Sequence, residues 1–164
     1  MGEITIRGTL SNFRMTVILP NALPLFTIGD FKKFLKVIDE DFEHRDELLE
    51  TVDKWIEDRL LDIPSFMKKK ANEYHNAAQW IKDHERERDE IREEIKNKRT
   101  KGFTPLTKDQ IETRKQKVKG IGSTLMIERE VRNDALRVFK LLEREEKKLK
   151  KEKEVIKKWQ EERR

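Results

Sequence analysis

Asp41 and His44 stand three residues apart, a spacing that puts a carboxylate and an imidazole on one helix face, where they can share a metal ion. A di-metal carboxylate bundle needs two Glu-x-x-His pairs and further Glu from other helices. This chain has one such pair, led by Asp, so His44, His75 and His84 read better as residues of solvated helix faces. Gly120-Ile121-Gly122 is a G-x-G. It follows no strand and lacks both a downstream glycine and the lysine-Ser/Thr of a phosphate loop. A helix kink or a close approach of helices is the expectation there. Ser11, Ser65 and Ser123 have no His-acid pair beside them in sequence. With no cysteine, disulfides and thiolate metal sites are excluded. No catalytic constellation emerges, and a non-enzymatic protein without metal or cofactor is expected.

The strongest chemical lead is charge. Residues 96–119 hold nine basic and two acidic side chains. Lys96, Lys98, Arg99, Lys101, Lys108, Arg114, Lys115, Lys117 and Lys119 cluster about the stretch KRTKGFTPLTKD, residues 98–109. Such a cluster neutralises phosphates and releases counterions, which makes affinity fall with salt. Phe103, at the apex, has the face needed to stack on an unpaired base. The bland reading is a helix turn whose cations complement the helix dipole and keep it solvated, with Phe103 packed on Ile111.

Protein contacts are the second lead. Ile4, Ile6 and Val17 lie in strand-like segments that can extend a partner's sheet. Trp80 falls beside Ile81, off the apolar stripe, and is an anchor for a partner if exposed. The tail EREEKKLKKEKEVIKKWQEERR carries Leu149, Ile156 and Trp159 as a narrow stripe, one side of a coiled-coil seam.

The elements that must position these residues are mostly helical. Of 164 residues, 35% are hydrophobic and 43% charged, too few apolar for a deep core but periodic enough for long amphipathic helices. No apolar run reaches membrane-spanning length and no signal pattern opens the chain, so a soluble, intracellular protein (cytoplasmic or nucleoid-associated) is expected. The net charge of +5 is uneven: +1 over residues 1–27, −7 over 28–95, +7 over 96–119 and +4 over 120–164.

EITIRGTL and FRMTVILP, joined by Ser11-Asn12, read as a β-hairpin, and Pro20 and Pro24 oppose regular pairing after it. Thr27 and Asp30, flanked by Phe26 and Phe31, read as a helix start. The helix is expected to break or kink at Asp62-Ile63-Pro64 and to end with a left-handed Gly102. Thr107 and Gln110 read as a capping box, and Leu106 and Ile111 as its staple. A turn at 102–106 then joins antiparallel helices, with a further kink near 120–122.

The fold class is therefore mainly α: a long antiparallel helical hairpin, coiled-coil-like or bundle-forming, over residues 27–164. A small N-terminal β-hairpin and Pro-containing linker occupy residues 1–26. Leucine doublets such as Leu48-Leu49, Leu60-Leu61 and Leu141-Leu142 are buried better by four helices than by two, so a dimer of hairpins is expected. Two functional readings follow. One is a nucleic-acid-associated accessory protein gripping DNA or RNA through the basic turn. The other is a structural adaptor binding protein partners through its arms and N-terminal β-hairpin.

Overall fold

The computed structural model describes the backbone of residues 5–9, 14–18 and 24–27 and the continuous stretch 45–162. Three short strands, β1 (Thr5–Thr9), β2 (Arg14–Ile18) and β3 (Pro24–Thr27), pair antiparallel in the order β1-β2-β3. Ile6 and Val17 are register partners, and Pro24 opens β3 opposite Ile18 where the register shifts. A strand's first residue is a position where the missing N–H of proline is tolerated. Ile4, the helix start at Thr27–Phe31 and the Asp41/His44 pair lie outside the described residues, apart from the backbone of Thr27.

Two long helices follow, α1 (Arg45–Asn97, 53 residues) and α2 (Lys108–Glu162, 55 residues), packed against each other as a hairpin. The chain divides into two compact units. One comprises residues 1–68 and 138–164, the other residues 69–137.

In the first unit, Leu49, Val52, Ile56 and Ile63 of α1 pack with Leu142, Leu149 and Ile156 of α2. Their spacings of three, four and seven keep one stripe of each helix facing the other. Trp55, Leu60, Met67, Val138 and Trp159 close the flanks. This packing explains a correction. The helix does not break at Pro64, which sits inside α1. An internal proline costs about 3 kcal/mol. Ile56 and Ile63 are fully buried, and each such side chain contributes roughly 2 kcal/mol, so the seam outweighs the local penalty.

In the second unit, Ile81 and Ile91 pack with Ile121 and Leu125, flanked by Trp80, Ile95 and Val118. The helix also runs unbroken through Gly120 and Gly122. A Cβ built at either glycine meets nothing within 4 Å, so no neighbouring backbone comes close and the expected tight approach is absent.

Candidate nucleic-acid interface

The turn of the second unit is built by two motifs. α1 ends in a Schellman arrangement: the Lys98 N–H donates to the Ile95 carbonyl and the Arg99 N–H to the Glu94 carbonyl, both at 3.3 Å. The left-handed residue this requires is Lys98, with φ 55°, and not Gly102. Next comes a miniature hairpin. Arg99 pairs with Pro105 as an isolated bridge. The Thr100 N–H donates to the Thr104 carbonyl at 2.8 Å, and the Phe103 N–H to the Thr100 carbonyl at 2.9 Å.

A three-residue hairpin loop of this kind needs a left-handed residue at its third position, normally glycine. Here Phe103 takes it, with φ 69°. The expectation at Gly102 fails because the loop register places glycine one residue early. The Thr104 N–H also donates to the Thr100 hydroxyl at 3.0 Å. α2 then starts as expected. The Thr107 N–H donates to Gln110 Oε1 at 2.9 Å, and the Gln110 N–H donates to Thr107 Oγ1 at 3.2 Å, the reciprocal bonds of a capping box.

Phe103 is 72% exposed and does not close the turn by burial. The Arg99 guanidinium lies 5.0 Å from its ring centroid, within cation–π reach. Below this pair is an open cavity of about 240 Å³, lined by Glu90, Glu93, Glu94, Asn97, Thr100 and Lys101 as well as Arg99 and Phe103.

The cations of the turn fall into two groups. Lys101 reaches Glu90 at 3.4 Å, Arg114 reaches Glu94 at 2.7 Å and Lys117 reaches Glu87 at 2.9 Å. The hydrogen bond and positive charge of Lys117 hold the Glu87 carboxyl below its ordinary value. By contrast, Lys96, Lys98, Lys108, Lys115 and Lys119 are exposed and make no ion pair among the described residues. The three opposing carboxylates were not singled out from sequence, because charge counted along the chain does not show what folding back brings alongside. An antiparallel turn centred near residue 103 carries the signal, since it sets Glu94 against Arg114 and Glu87 against Lys117.

The two tryptophans named for protein contacts both lie against apolar clusters. Trp80 is half-buried on the Ile81–Leu125 cluster. Its ring stacks on His84 at 3.5 Å, and His84 Nδ1–H donates to the Trp80 carbonyl at 2.8 Å. Trp159 packs beside the core of the first unit. Neither stands out as a free platform. The apolar side chains most open to solvent, besides Phe103, include Leu61 at 73%, Met126 at 65% and Ile127 at 60%.

Among the described residues no group of three or more His, Asp or Glu side chains could hold a metal ion. No helix among them is long and apolar enough to cross a membrane. Comparisons with protein-family models, with curated proteins and with solved structures give no match for this chain.

Proposed function

We propose that the protein is a non-enzymatic nucleic-acid accessory factor that holds phosphates through the turn between α1 and α2. The observation that carries this reading is the sorting of cations. Five lysines around one exposed turn, Lys96, Lys98, Lys108, Lys115 and Lys119, make no ion pair among the described residues. Lys101, Arg114 and Lys117 are tied to carboxylates of α1, the last two reaching across from α2. The first set meets phosphate without giving up a protein partner, which lowers the desolvation and exchange cost of binding. Arg99 and Phe103 add a face on which an unpaired base, of DNA or RNA, stacks. The cell compartment that suits this role is the cytoplasm or the nucleoid.

The test compares two charge-neutralised variants by fluorescence anisotropy on labelled oligonucleotides. Changing Lys98, Lys108, Lys115 and Lys119 to Gln is expected to weaken binding at least tenfold, because a glutamine at each position no longer displaces counterions from the phosphates. Changing Lys101 and Lys117 to Gln is expected to affect binding much less, since it frees Glu90 and Glu87 and removes cations already engaged. Equal effects from both sets contradict the sorting.

A second reading rests on a separate observation. Met126, Ile127 and Val131 are exposed on α2 at 65%, 60% and 42%. This apolar patch suits an adaptor that binds a protein partner, or a dimer of hairpins. Under that reading the lysine changes are silent, and Ile127→Glu abolishes partner binding or self-association measured by sedimentation.

A further inference from the structure

Counting sevens along α2 gives Leu142, Leu149 and Ile156 on one seam position and Glu145, Glu152 and Trp159 on the other. Two carboxylates therefore occupy places where a two-helix seam takes leucine. Both are buried: Glu145 is 3% exposed and Glu152 is 5%. In each, the Oε2 atom has no hydrogen-bond partner among the described residues. The two differ in how the other oxygen is held. Glu145 Oε1 accepts from both Arg59 Nη2, at 2.7 Å, and Arg59 Nε, at 3.3 Å. Among the described residues Glu152 has only Lys148, one turn earlier on the same helix, at 3.9 Å.

The charged surroundings of Glu152 offer no better partner among the described residues. The ion pairs Arg59–Glu145 and Glu57–Lys153 fix the antiparallel register and bring residues 52–58 of α1 opposite Glu152. The charged groups in that stretch are Asp53, Lys54, Glu57 and the exposed Asp58. Lys54 and Glu57 are exposed, and Glu57 is engaged by Lys153 at 3.5 Å. Arg59 is engaged by Glu145.

An ionised carboxylate buried between Leu149 and Ile156 without a hydrogen bond is costly, whereas the neutral acid is tolerated. We infer that Glu152 is a proton-operated clamp on this unit. Protonated, its carboxyl stays in the seam and α1 and α2 close around it. Ionised, it is drawn towards water and the packing from Leu149 to Ile156 loosens. One proton is taken up from solvent for each clamp that closes. The direction of its titration agrees, since burial raises the Glu152 pKa from 4.5 to about 7, against the pull of Lys148. The inference is independent of what the turn between the helices binds.

The experiment is urea denaturation of the full chain, wild type beside Glu152→Gln, from about pH 4 to about pH 8, a range that brackets both the ordinary and the raised value of the acid. The amide has nearly the shape of the protonated acid and cannot ionise. The two midpoints are expected to lie close together at the acid end. As pH rises from about 4.5 to about 7 the wild-type midpoint should fall progressively behind that of the variant, and stay behind above that, because only wild type has a carboxyl to ionise. Parallel curves overturn the clamp. A direct titration of the Glu152 carboxyl carbon by NMR in wild type needs no variant. A midpoint near neutrality supports the inference, and one in the ordinary carboxylate range overturns it.

Discussion

Lys98 and Phe103 hold left-handed backbone that their side chains disfavour. An L-residue there forfeits roughly 1–2 kcal/mol relative to glycine. Lys98→Gly should therefore raise stability by about 1 kcal/mol, seen as a thermal midpoint about 2–4 °C higher, while removing one uncommitted cation. Phe103→Gly should stabilise the turn by a similar amount and, under the nucleic-acid reading, weaken binding to single strands more than to duplex. A variant that gains stability and loses binding shows that the residue is placed for contact and not for folding.

Glu152 sets a second prediction at this scale. Its folded-state pKa is about 7 against an ordinary 4.5, so the folded state binds the proton more tightly than the unfolded chain. The resulting stability is fully present below about pH 4.5 and is lost as pH rises through about 7. At 1.36 kcal/mol per pH unit, the loss is about 3 kcal/mol. Calorimetry of wild type across that interval checks it, with Glu152→Gln as the flat reference.

At the scale of elements, the helices outlast their own weak points. Pro64, Gly120 and Gly122 all look like interruptions in the sequence, and none stops a helix. Packing decides at Pro64, where Ile63 beside it is fully buried. At the glycines nothing but local propensity is at stake, since the space around each is empty. Gly120→Ala and Gly122→Ala should each stabilise by about 1 kcal/mol, raising the urea midpoint without changing its slope. Ile56→Ala should destabilise by about 2–5 kcal/mol, because its seam cannot collapse into the space left behind.

The periodic apolar positions and the capping box at Thr107–Gln110 were legible because they depend on local spacing alone. The turn's left-handed positions were not, since they depend on the register of the miniature hairpin from Arg99 to Pro105. The buried carboxylates were hidden in a tail that reads as uniformly charged, and only the sevenfold count separates Glu145 and Glu152 from their solvated neighbours.

For the whole molecule, charge is the property that sequence alone described least well. The segment 96–119 carries +7, which suggests one continuous phosphate-binding surface. Folding back sets Glu87, Glu90 and Glu94 of α1 against three of its cations. What is left is a smaller set of lysines with Arg99 and Phe103. The candidate site was thus legible in its location and residue types, but not in which cations remain uncommitted, because that depends on pairing across the hairpin.

The central claim is that this remaining set holds phosphate, and a salt titration of anisotropy tests it most directly. Wild type is titrated on a labelled single strand beside the variant with Lys98, Lys108, Lys115 and Lys119 changed to Gln. Removing four phosphate-neutralising cations should reduce the slope of log affinity against log salt by about 3. A wild type that binds with a steep slope, and a variant whose slope is shallower by that amount, is the predicted result. No binding by wild type at low salt, or a slope unchanged in the variant, contradicts the account and moves the search to protein partners of the exposed Met126–Val131 face.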